Sequence, residues 1–276
     1  MRRKPALLYV TDLAYEARGR RYGDEDVDLS DRLREDFHVA LCSPRDTVAL
    51  MDGFDAVVVR NSGPVLRHRE AWDDFRTRAL ERGTRVFNEL SGRADMVGKR
   101  YLVELSAAGE PVIPTVDRRE DLDRLPPAAE YVVKPELGAG SIGLEVVPAD
   151  RLGEIALDVD AGLLVQPRID FRYEVSFYFV DRVFQYALHA PDPARRWELE
   201  RYAPDAADLA FAQRFVDWNA VDHGIQRVDA CRTAEGELLL VELEDLNPYL
   251  SLDRVDADTK DRFVAATIAS LHALLA

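Results

Sequence analysis

The sequence is poor in cysteine, and this shortage excludes two kinds of stabilised fold. Its 276 residues include two cysteines, Cys42 and Cys231. They lie far apart and have no neighbouring Cys or His at ligand spacing, which excludes a disulfide framework and a zinc site. Both are expected to be buried thiols, the usual state of a free cysteine.

Long apolar runs are also missing. No run approaches the length of about 20 residues that crosses a bilayer. The first apolar stretch, residues 6–10, is followed at once by Thr11 and Asp12, which is too early for a signal peptide. The sequence therefore predicts a cytoplasmic protein that makes no membrane contact.

Basic charge is in deficit. Acidic side chains outnumber basic ones by 51 to 36, for a formal net charge of −15. Because proteins that bind nucleic acid concentrate positive charge, nucleic acid is not an expected partner. Apolar residues make up 47% and charged residues 32%, which is ordinary for a globular protein and excludes disorder. The length allows two or three lobes.

Lysine is scarce: of the 36 basic residues only four are lysines, at positions 4, 99, 134 and 260. Arginine therefore supplies the surface charge, and a lysine inside an ordered segment calls for a reason. The ammonium is a compact point charge on a slim stem, which suits contact with phosphate. Lys134 ends a predicted strand and Lys99 begins a predicted helix; for Lys99 taken alone, an exposed helix residue is the favoured interpretation.

The first third of the chain alternates short apolar runs with amphipathic stretches. The runs at 6–10, 39–42, 56–60 and 86–88 are typical of buried strands. Residues 29–37 and 65–82 between them have helical spacing. This alternation predicts a parallel sheet covered by helices, an open α/β domain over residues 1–95.

Strands dominate the rest of the chain. A helix is predicted at 98–108, and closely spaced strands, which favour antiparallel pairing, at 131–134, 143–147, 163–166, 173–180 and 183–188. A helix at 204–221, a hairpin of 226–232 with 238–244, and a helix at 256–275 follow. We expect a small lobe over residues 96–166 and a large lobe over residues 167–276.

Residues 138–143 form a glycine-rich loop, Gly-Ala-Gly-Ser-Ile-Gly. The loop joins two predicted strands, whereas a dinucleotide-binding turn joins a strand to a helix. Glycines let backbone N–H groups come close to phosphate. The loop therefore favours a flap over phosphates, with a plain glycine turn as the alternative; its candidate residues are Gly138, Gly140, Ser141 and Gly143.

Charged residues recur with period two on the last two predicted strands. Strand side chains alternate between faces, so Arg227 and Asp229 share a face, as do Glu242 and Glu244. A hairpin would bring these carboxylates and the guanidinium together. Crowded carboxylates repel unless a hard divalent cation neutralises them. The pattern favours a Mg²⁺ site, with an exposed acidic strand face as the alternative.

In this order, the segments from about residue 86 to 252 resemble the ATP-grasp superfamily of carboxylate–amine ligases. The resemblance depends on a lysine opening a helix that ends in Gly-x-Pro-Val-x-Pro-Thr, a Val-Lys-Pro strand with its glycine loop, a hinge, Arg-x-Asp, and Glu-x-Glu before a proline. It implies an α/β chain with the ATP-grasp fold behind an N-terminal open α/β domain. It also implies ATP and one or two Mg²⁺ ions as cofactors.

The resemblance further implies roles for individual residues. Glu244 stands where the family often has Asn, which adds negative charge at the metal site. The implied roles are phosphate contact by Lys99 and Lys134, adenine recognition by the hinge residues Gln166, Arg168 and Ile169, ribose binding by Glu174, metal binding by Asp229, Glu242 and Glu244, and stabilisation of the transferred phosphate by Arg227.

Substrate residues are predicted in loops beside these segments. Arg60 follows a strand of the first domain, where α/β sheets place ligands; the other candidates are Arg196, Asn247 and Ser251. For Arg60 and Arg196 a solvated arginine is the alternative. His189 and His223 are expected to be structural.

The predicted function is an ATP-dependent ligase that joins a small carboxylic acid, such as an amino acid, to an amine through an acyl phosphate. Its partners would be these small molecules, and a homodimer is left open. The alternatives are a nucleotide-binding regulatory protein that has lost turnover and a phosphotransferase for small molecules.

Overall fold

Apolar strands alternating with amphipathic helices build a parallel sheet at the start of the chain. In the computed structural model, this region contains β1 (Ala6–Thr11), β2 (Glu16–Ala17), β3 (Arg20–Arg21), α1 (Tyr22–Leu33), β4 (His38–Cys42), α2 (Thr47–Leu50), β5 (Ala56–Asn61), α3 (Arg69–Arg82) and β6 (Val86–Phe87). The parallel order is β4-β1-β5-β6. Five of the six residues of β1 are buried, because helices cover both faces of such a sheet.

The structure describes residues 3–17, 20–61, 67–138, 142–155, 162–195 and 198–276. Among them, no helix combines the length and apolar character that crossing a membrane requires.

A small antiparallel sheet follows. It comprises β7 (Glu130–Pro135), β8 (Glu145–Pro148) and β9 (Leu163–Pro167), and α4 (Tyr101–Ala107) precedes it. The strand order is β8-β7-β9. The glycine-rich segment connects β7 to β8, which are antiparallel neighbours, as predicted for a loop between two strands.

The third sheet is larger and wholly antiparallel. Its elements are β10 (Phe171–Val180), β11 (Val183–Ala190), β12 (Glu200–Tyr202), α5 (Ala206–Asn219), β13 (Ile225–Thr233), β14 (Leu238–Glu244) and α6 (Ala257–Leu275). The strand order is β12-β11-β10-β13-β14. The Asp205 side chain accepts from Asp208 N and starts α5, and Asp256 accepts from Thr259 N and starts α6; such caps satisfy N–H groups that the helix leaves unpaired.

The two faces of this large sheet bury different partners. Phe177 and Val228 pack with residues of α4 and α5. On the opposite face Tyr178 and Ile225 pack with α6 and with β1 of the first sheet. Further along that second face the polar residues of the candidate site replace the apolar ones, so the site lies on the same face as the contact with the first sheet.

The predicted strands and helices all have counterparts, and the differences lie mainly at their ends. The first helix begins at Tyr22, earlier than the predicted residue 29, because its charged first turn lacks an apolar pattern. The short edge strand β12 is not predicted from the sequence. The division at residues 95 and 166 stays a prediction.

Candidate active site

Lys99 is buried between two carboxylates from different parts of the chain. Its Nζ donates to Asp95 Oδ2 at 2.6 Å and to Glu242 Oε1 at 2.7 Å. Burial by itself lowers the pKa of an ammonium, but Asp95 and Glu242 outweigh it and raise the pKa of Lys99 well above its ordinary value. Lys99 therefore carries its charge throughout the physiological range.

Lys134, on β7, lies near the same carboxylate. Burial lowers the pKa of Lys134 to about 8, an effect that Glu242 opposes and Lys99 reinforces. Both lysines are nearly enclosed, with exposures of 5% for Lys99 and 9% for Lys134. The structure thus brings the two predicted phosphate lysines together around Glu242.

The register between β13 and β14 aligns a second cluster of charged side chains. Arg227 lies opposite Glu244, and Asp229 lies opposite Glu242. Arg227 Nη2 donates to Asp229 Oδ2 at 2.7 Å and to Glu244 Oε1 at 2.5 Å. Ser176 Oγ donates to Asp229 Oδ1 at 2.6 Å. The predicted hairpin is therefore present, and the predicted side chains meet on one face of it.

The two glutamates of β14 have opposite electrostatic surroundings. Burial raises the pKa of Glu244 well above its ordinary value, and Arg227 only partly offsets this. Burial also opposes ionisation of Glu242, but Lys99 and Lys134 outweigh it and lower the pKa of Glu242. Negative charge is thus less well compensated at Glu244, where an added cation would be most stabilising.

The donor set on these strands is suited to Mg²⁺. Asp229, Glu242 and Glu244 offer the carboxylate oxygens that this hard cation prefers. Over the ranges that the structure describes, however, no three Asp, Glu, His or Cys side chains are grouped so as to hold one ion. Lys99 and Arg227 engage these carboxylates instead, so the three predicted ligands fit the metal chemically and would have to exchange partners to bind it.

The hinge residues lie at the end of β9 and in its connection to β10. Gln166 is 4% exposed, and its Nε2 donates to Thr115 Oγ1 at 2.8 Å. The exposed Arg168 side chain pairs with Glu130; Ile169 follows it in the connection. Glu174 lies two residues before Ser176 on β10, which places it on the face of the sheet that carries Asp229.

Two glycines shape the approach to the site. Gly143, with φ of 75°, has no room for a side chain, since a Cβ would lie 2.8 Å from Pro135 Cγ. Gly98, with φ of 107°, directly precedes Lys99, and Lys99 N donates to Glu136 O at 3.0 Å. Gly138 is described at the start of the loop, whereas the candidates Gly140 and Ser141 lie outside the described residues.

Arg60 is buried rather than solvated, with 2% exposure. Its Nη2 donates to Pro248 O at 2.9 Å, and it lies 3.6 Å from both Glu25 Oε1 and Asp26 Oδ1. Arg60 therefore binds the protein's own groups and holds the segment after β14. The candidate Arg196 lies outside the described residues.

The segment after β14 carries the other two substrate candidates. Asn247 is partly buried, and Ser251 is 2% exposed with a φ of 52°. Arg227 Nη1 donates to Tyr249 O at 2.8 Å, and Tyr186 Oη donates to Leu250 O at 2.7 Å. The segment is thus tied directly to the predicted phosphate arginine.

Sequence reasoning missed two acids at the site. Asp95 precedes Lys99 by four residues in a turn rather than a helix, so the nearness of opposite charges in the sequence was the available signal. Asp245 is fully buried next to Glu244, and its single position in the sequence gave no comparable signal. Both cysteines are buried as expected, and His223 Nδ1 lies 3.1 Å from Ser270 Oγ in a structural contact.

Comparison with known proteins finds a relative that matches most of the chain. No protein-family model matches it. The cycloserine biosynthesis protein DcsG of Streptomyces lavendulae is 28% identical over 249 residues, covering 77% of this chain and 82% of that protein.

Solved structures match in fold over nearly the full length. D-cycloserine synthetase DcsG superposes with a TM-score of 0.76 at 23% identity, covering 96% of this chain and 99% of that one. The ATP-grasp ligase PsnB superposes with a TM-score of 0.66 at 17% identity, covering 97% and 99%. D-alanine–D-alanine ligase from Bacillus anthracis, complexed with ATP, superposes with a TM-score of 0.67 at 14% identity, covering 98% of each chain.

These matches, over nearly the full length of the chain, agree with the fold described above. The predicted fold is confirmed: the chain has the ATP-grasp fold.

Proposed function

We propose that the protein is an ADP-forming ligase that activates a small carboxylic acid with ATP and joins it to an amine. The observation that supports this most strongly is the gathering of Lys99, Lys134 and Arg227 around carboxylates on neighbouring strands. A protein that only bound nucleotide would not require this set. The likeness to DcsG, a D-cycloserine synthetase by name, supports an acid derived from an amino acid.

The proposed reaction has two steps. A carboxylate oxygen of the acid attacks the γ-phosphorus of ATP, and ADP leaves. The amine then attacks the acyl carbon, a proton is lost from the nitrogen, and inorganic phosphate leaves. Charge on the transferred phosphoryl group must be stabilised throughout, which is the main task of enzymes that transfer phosphoryl groups.

The site residues have matching roles in this proposal. Lys99 and Lys134 bind the phosphates of the nucleotide, and Arg227 stabilises the phosphoryl group in transfer. Mg²⁺ held by the carboxylates of β13 and β14 would neutralise phosphate oxygens. Because Lys99 and Arg227 already contact those carboxylates, they lie close to where the phosphates would bind.

The three sheets support an assignment of tasks along the chain. Residues 1–95 would contribute to substrate binding, residues 96–166 would form the small nucleotide lobe with the glycine flap, and residues 167–276 would form the large lobe with the metal site. The hinge after β9 and Glu174 on β10 would then hold the adenine and the ribose.

An ADP-release assay tests the proposed function. The purified chain is given Mg-ATP and pools of amino acids, with and without added amines. ADP formation that requires both an acid and an amine is expected. Asp229→Asn should abolish it, whereas Asp261→Asn, which alters an exposed ion pair with Arg32, should not.

Other outcomes of the assay point to the alternatives. A stable phosphorylated product that needs no amine would indicate a phosphotransferase. Nucleotide binding without turnover on any pool would indicate a regulatory protein. Either result would overturn the ligase assignment.

A further inference from the structure

Asp245 is a fully buried acid whose carboxylate is held by amide donors. Its exposure is 0%. Oδ1 accepts from Met96 N at 2.7 Å, and Oδ2 accepts from Ala94 N at 3.2 Å and from Asn219 Nδ2 at 3.1 Å. A charge buried at this depth is costly unless it is well hydrogen-bonded, so these contacts hold the turn firmly against β14.

The turn that Asp245 binds is the one that carries Asp95. Met96 and Ala94 flank Asp95 in the chain, and Arg93 N donates to Asn219 Oδ1 at 2.7 Å. The turn also fits closely around the carboxylate, since a Cβ on Gly92 would lie 2.2 Å from Asp245 Oδ2. The turn is therefore attached to Asp245 at Ala94 and Met96, and to Asn219 of α5 at Arg93.

Asp95 depends on this attachment for its own orientation. One of its oxygens, Oδ2, accepts from Lys99, whereas Oδ1 is buried and accepts no N–H or O–H hydrogen bond from the described residues. Its polar side-chain neighbours are Lys99 and Glu242, both at the site, so its position relative to the large sheet depends on its backbone. Asp245 holds that backbone in place, because its carboxylate accepts hydrogen bonds from the N–H groups of Ala94 and Met96, the residues on either side of Asp95.

Asp245 is itself fixed to the metal-binding strand. It directly follows Glu244 at the end of β14, so the two side chains point to opposite sides. Asn88 Nδ2 donates to the backbone carbonyl of Asp245 at 2.8 Å. A continuous set of contacts thus runs from β14 through Asp245 to the turn, to Asp95 and to Lys99.

We propose that Asp245 is a positioning residue, which sets Lys99 for the nucleotide through Asp95. The inference rests on the proposed nucleotide site. Lys99 has two carboxylate partners, and one of them, Glu242, is the partner that metal binding would engage. Asp95 then remains as the group that keeps the ammonium in place.

Binding of ADP with Mg²⁺, measured by titration calorimetry without acid or amine, tests this role. Asp245→Asn turns an amide donor toward the N–H groups of the turn and should weaken ADP binding by about tenfold, as loss of a residue supporting a ligand-binding group commonly does. Asp181→Asn is the matched control, since Asp181 also accepts a backbone N–H and a side-chain donor, Gly224 N and Ser270 Oγ. The control should change ADP binding by less than about twofold.

A double-mutant cycle separates positioning from general destabilisation. If Asp245 acts through Lys99, Asp245→Asn should weaken ADP binding by less than about twofold once Lys99→Gln is present, because coupled residues are not additive. An equal loss in both backgrounds, or no loss in either, would overturn the inference and leave the proposed function standing. Failure of the unaltered chain to bind ADP would overturn both.

A second variant keeps the test decisive if Asp245→Asn does not fold. Asp95→Asn leaves the core contacts of Asp245 in place and removes the charge next to Lys99. It should produce the same loss of ADP affinity, and that loss should also disappear in the Lys99→Gln background. Unchanged affinity in Asp95→Asn would contradict the proposal.

Discussion

The described part of the chain contains two buried clusters, around Arg60 and Arg227, that each combine one arginine with two carboxylates, and they differ in how those carboxylates are held. Arg227 donates to Asp229 at 2.7 Å and to Glu244 at 2.5 Å. Arg60 lies 3.6 Å from each of its two acids, Glu25 and Asp26. The first cluster is hydrogen-bonded internally, and the second is an arrangement of neighbouring charges.

The acids near Arg60 accept their hydrogen bonds from neutral groups. Glu25 accepts from Leu250 N at 2.8 Å and from Leu252 N at 3.1 Å. Asp26 accepts from Tyr9 Oη at 2.9 Å and from Thr11 Oγ1 at 2.6 Å. These carboxylates are therefore committed to the protein itself and anchor the segment after β14.

The acids near Arg227 are held mainly by cations at the candidate site. Ion-pair partners can be exchanged for a metal ion or a phosphate, whereas a backbone N–H held in the fold cannot move away. The comparison shows that residue types alone do not distinguish a candidate ligand site from a buried anchor. The hydrogen-bond and ion-pair partners of the carboxylates distinguish the two.

The largest effect is expected from removing the buried anchor. Arg60→Met leaves Glu25 and Asp26 without their cation, and loss of one partner from a buried charge cluster costs about 3–5 kcal/mol of unfolding free energy. Urea denaturation followed by circular dichroism measures it. Arg32→Met, which removes an exposed pair with Asp261, should cost less than about 1 kcal/mol; similar losses in both variants would contradict the assignment of Arg60 as an anchor.

The next largest effect is expected on the rate of ADP release when Arg227 is replaced. Arg227→Gln removes the guanidinium proposed to stabilise the transferred phosphate, and kcat for ADP release should fall by about 10²–10³, the range seen when such a donor is lost. Arg201→Gln is the control, because Arg201 pairs with Asp256 at the surface and its loss should leave kcat unchanged. If ADP release continues at the normal rate in Arg227→Gln, Arg227 has a structural role like that of Arg60 and does not stabilise the transferred phosphate.

A smaller effect is expected in the pH dependence of the unfolding free energy. Burial raises the pKa of Glu25 to about 7, and Arg60 only partly opposes it. The folded chain thus holds this proton more tightly than the unfolded chain, whose Glu25 ionises at its ordinary pKa of about 4.3. Stability from this group is present below the unfolded pKa and is lost as pH rises through the folded pKa.

The Glu25→Gln variant isolates that contribution. The unfolding free energy of the unaltered chain, minus that of the variant, should fall by up to about 3 kcal/mol between pH 4 and pH 8. Urea denaturation at a series of pH values measures the difference. A difference that stays constant or rises with pH would show that Glu25 ionises as easily in the folded chain as in the unfolded one.

Much of the site was predictable because local periodicity orients the side chains concerned. On β13 and β14 the period of two places Arg227 with Asp229 and Glu242 with Glu244, and a short loop between the strands leaves a hairpin as the natural pairing. The scarcity of lysine likewise pointed to Lys99 and Lys134. The strand periodicity is visible within a few neighbouring residues, and the scarcity of lysine is visible in the composition, so neither signal requires knowledge of the tertiary structure.

The role of Arg60 was harder to predict. A sequence places this arginine at the end of a strand, where either solvent or a ligand is a reasonable neighbour. Its burial follows from the packing of the first sheet against the segment after β14, 188 residues away in the chain at Pro248. Contacts at such separation leave no periodic trace in the sequence.

By itself, the sequence determined the longer strands and helices, the family they resemble, and which face of the last hairpin is charged, because each of these depends on side-chain period or on short motifs. Only the tertiary structure decided which carboxylates Lys99 contacts, that Arg60 is an internal anchor, and that Asp245 holds the turn bearing Asp95. Those outcomes depend on which distant segments pack together, and it is that packing which chooses the partner of each buried charge.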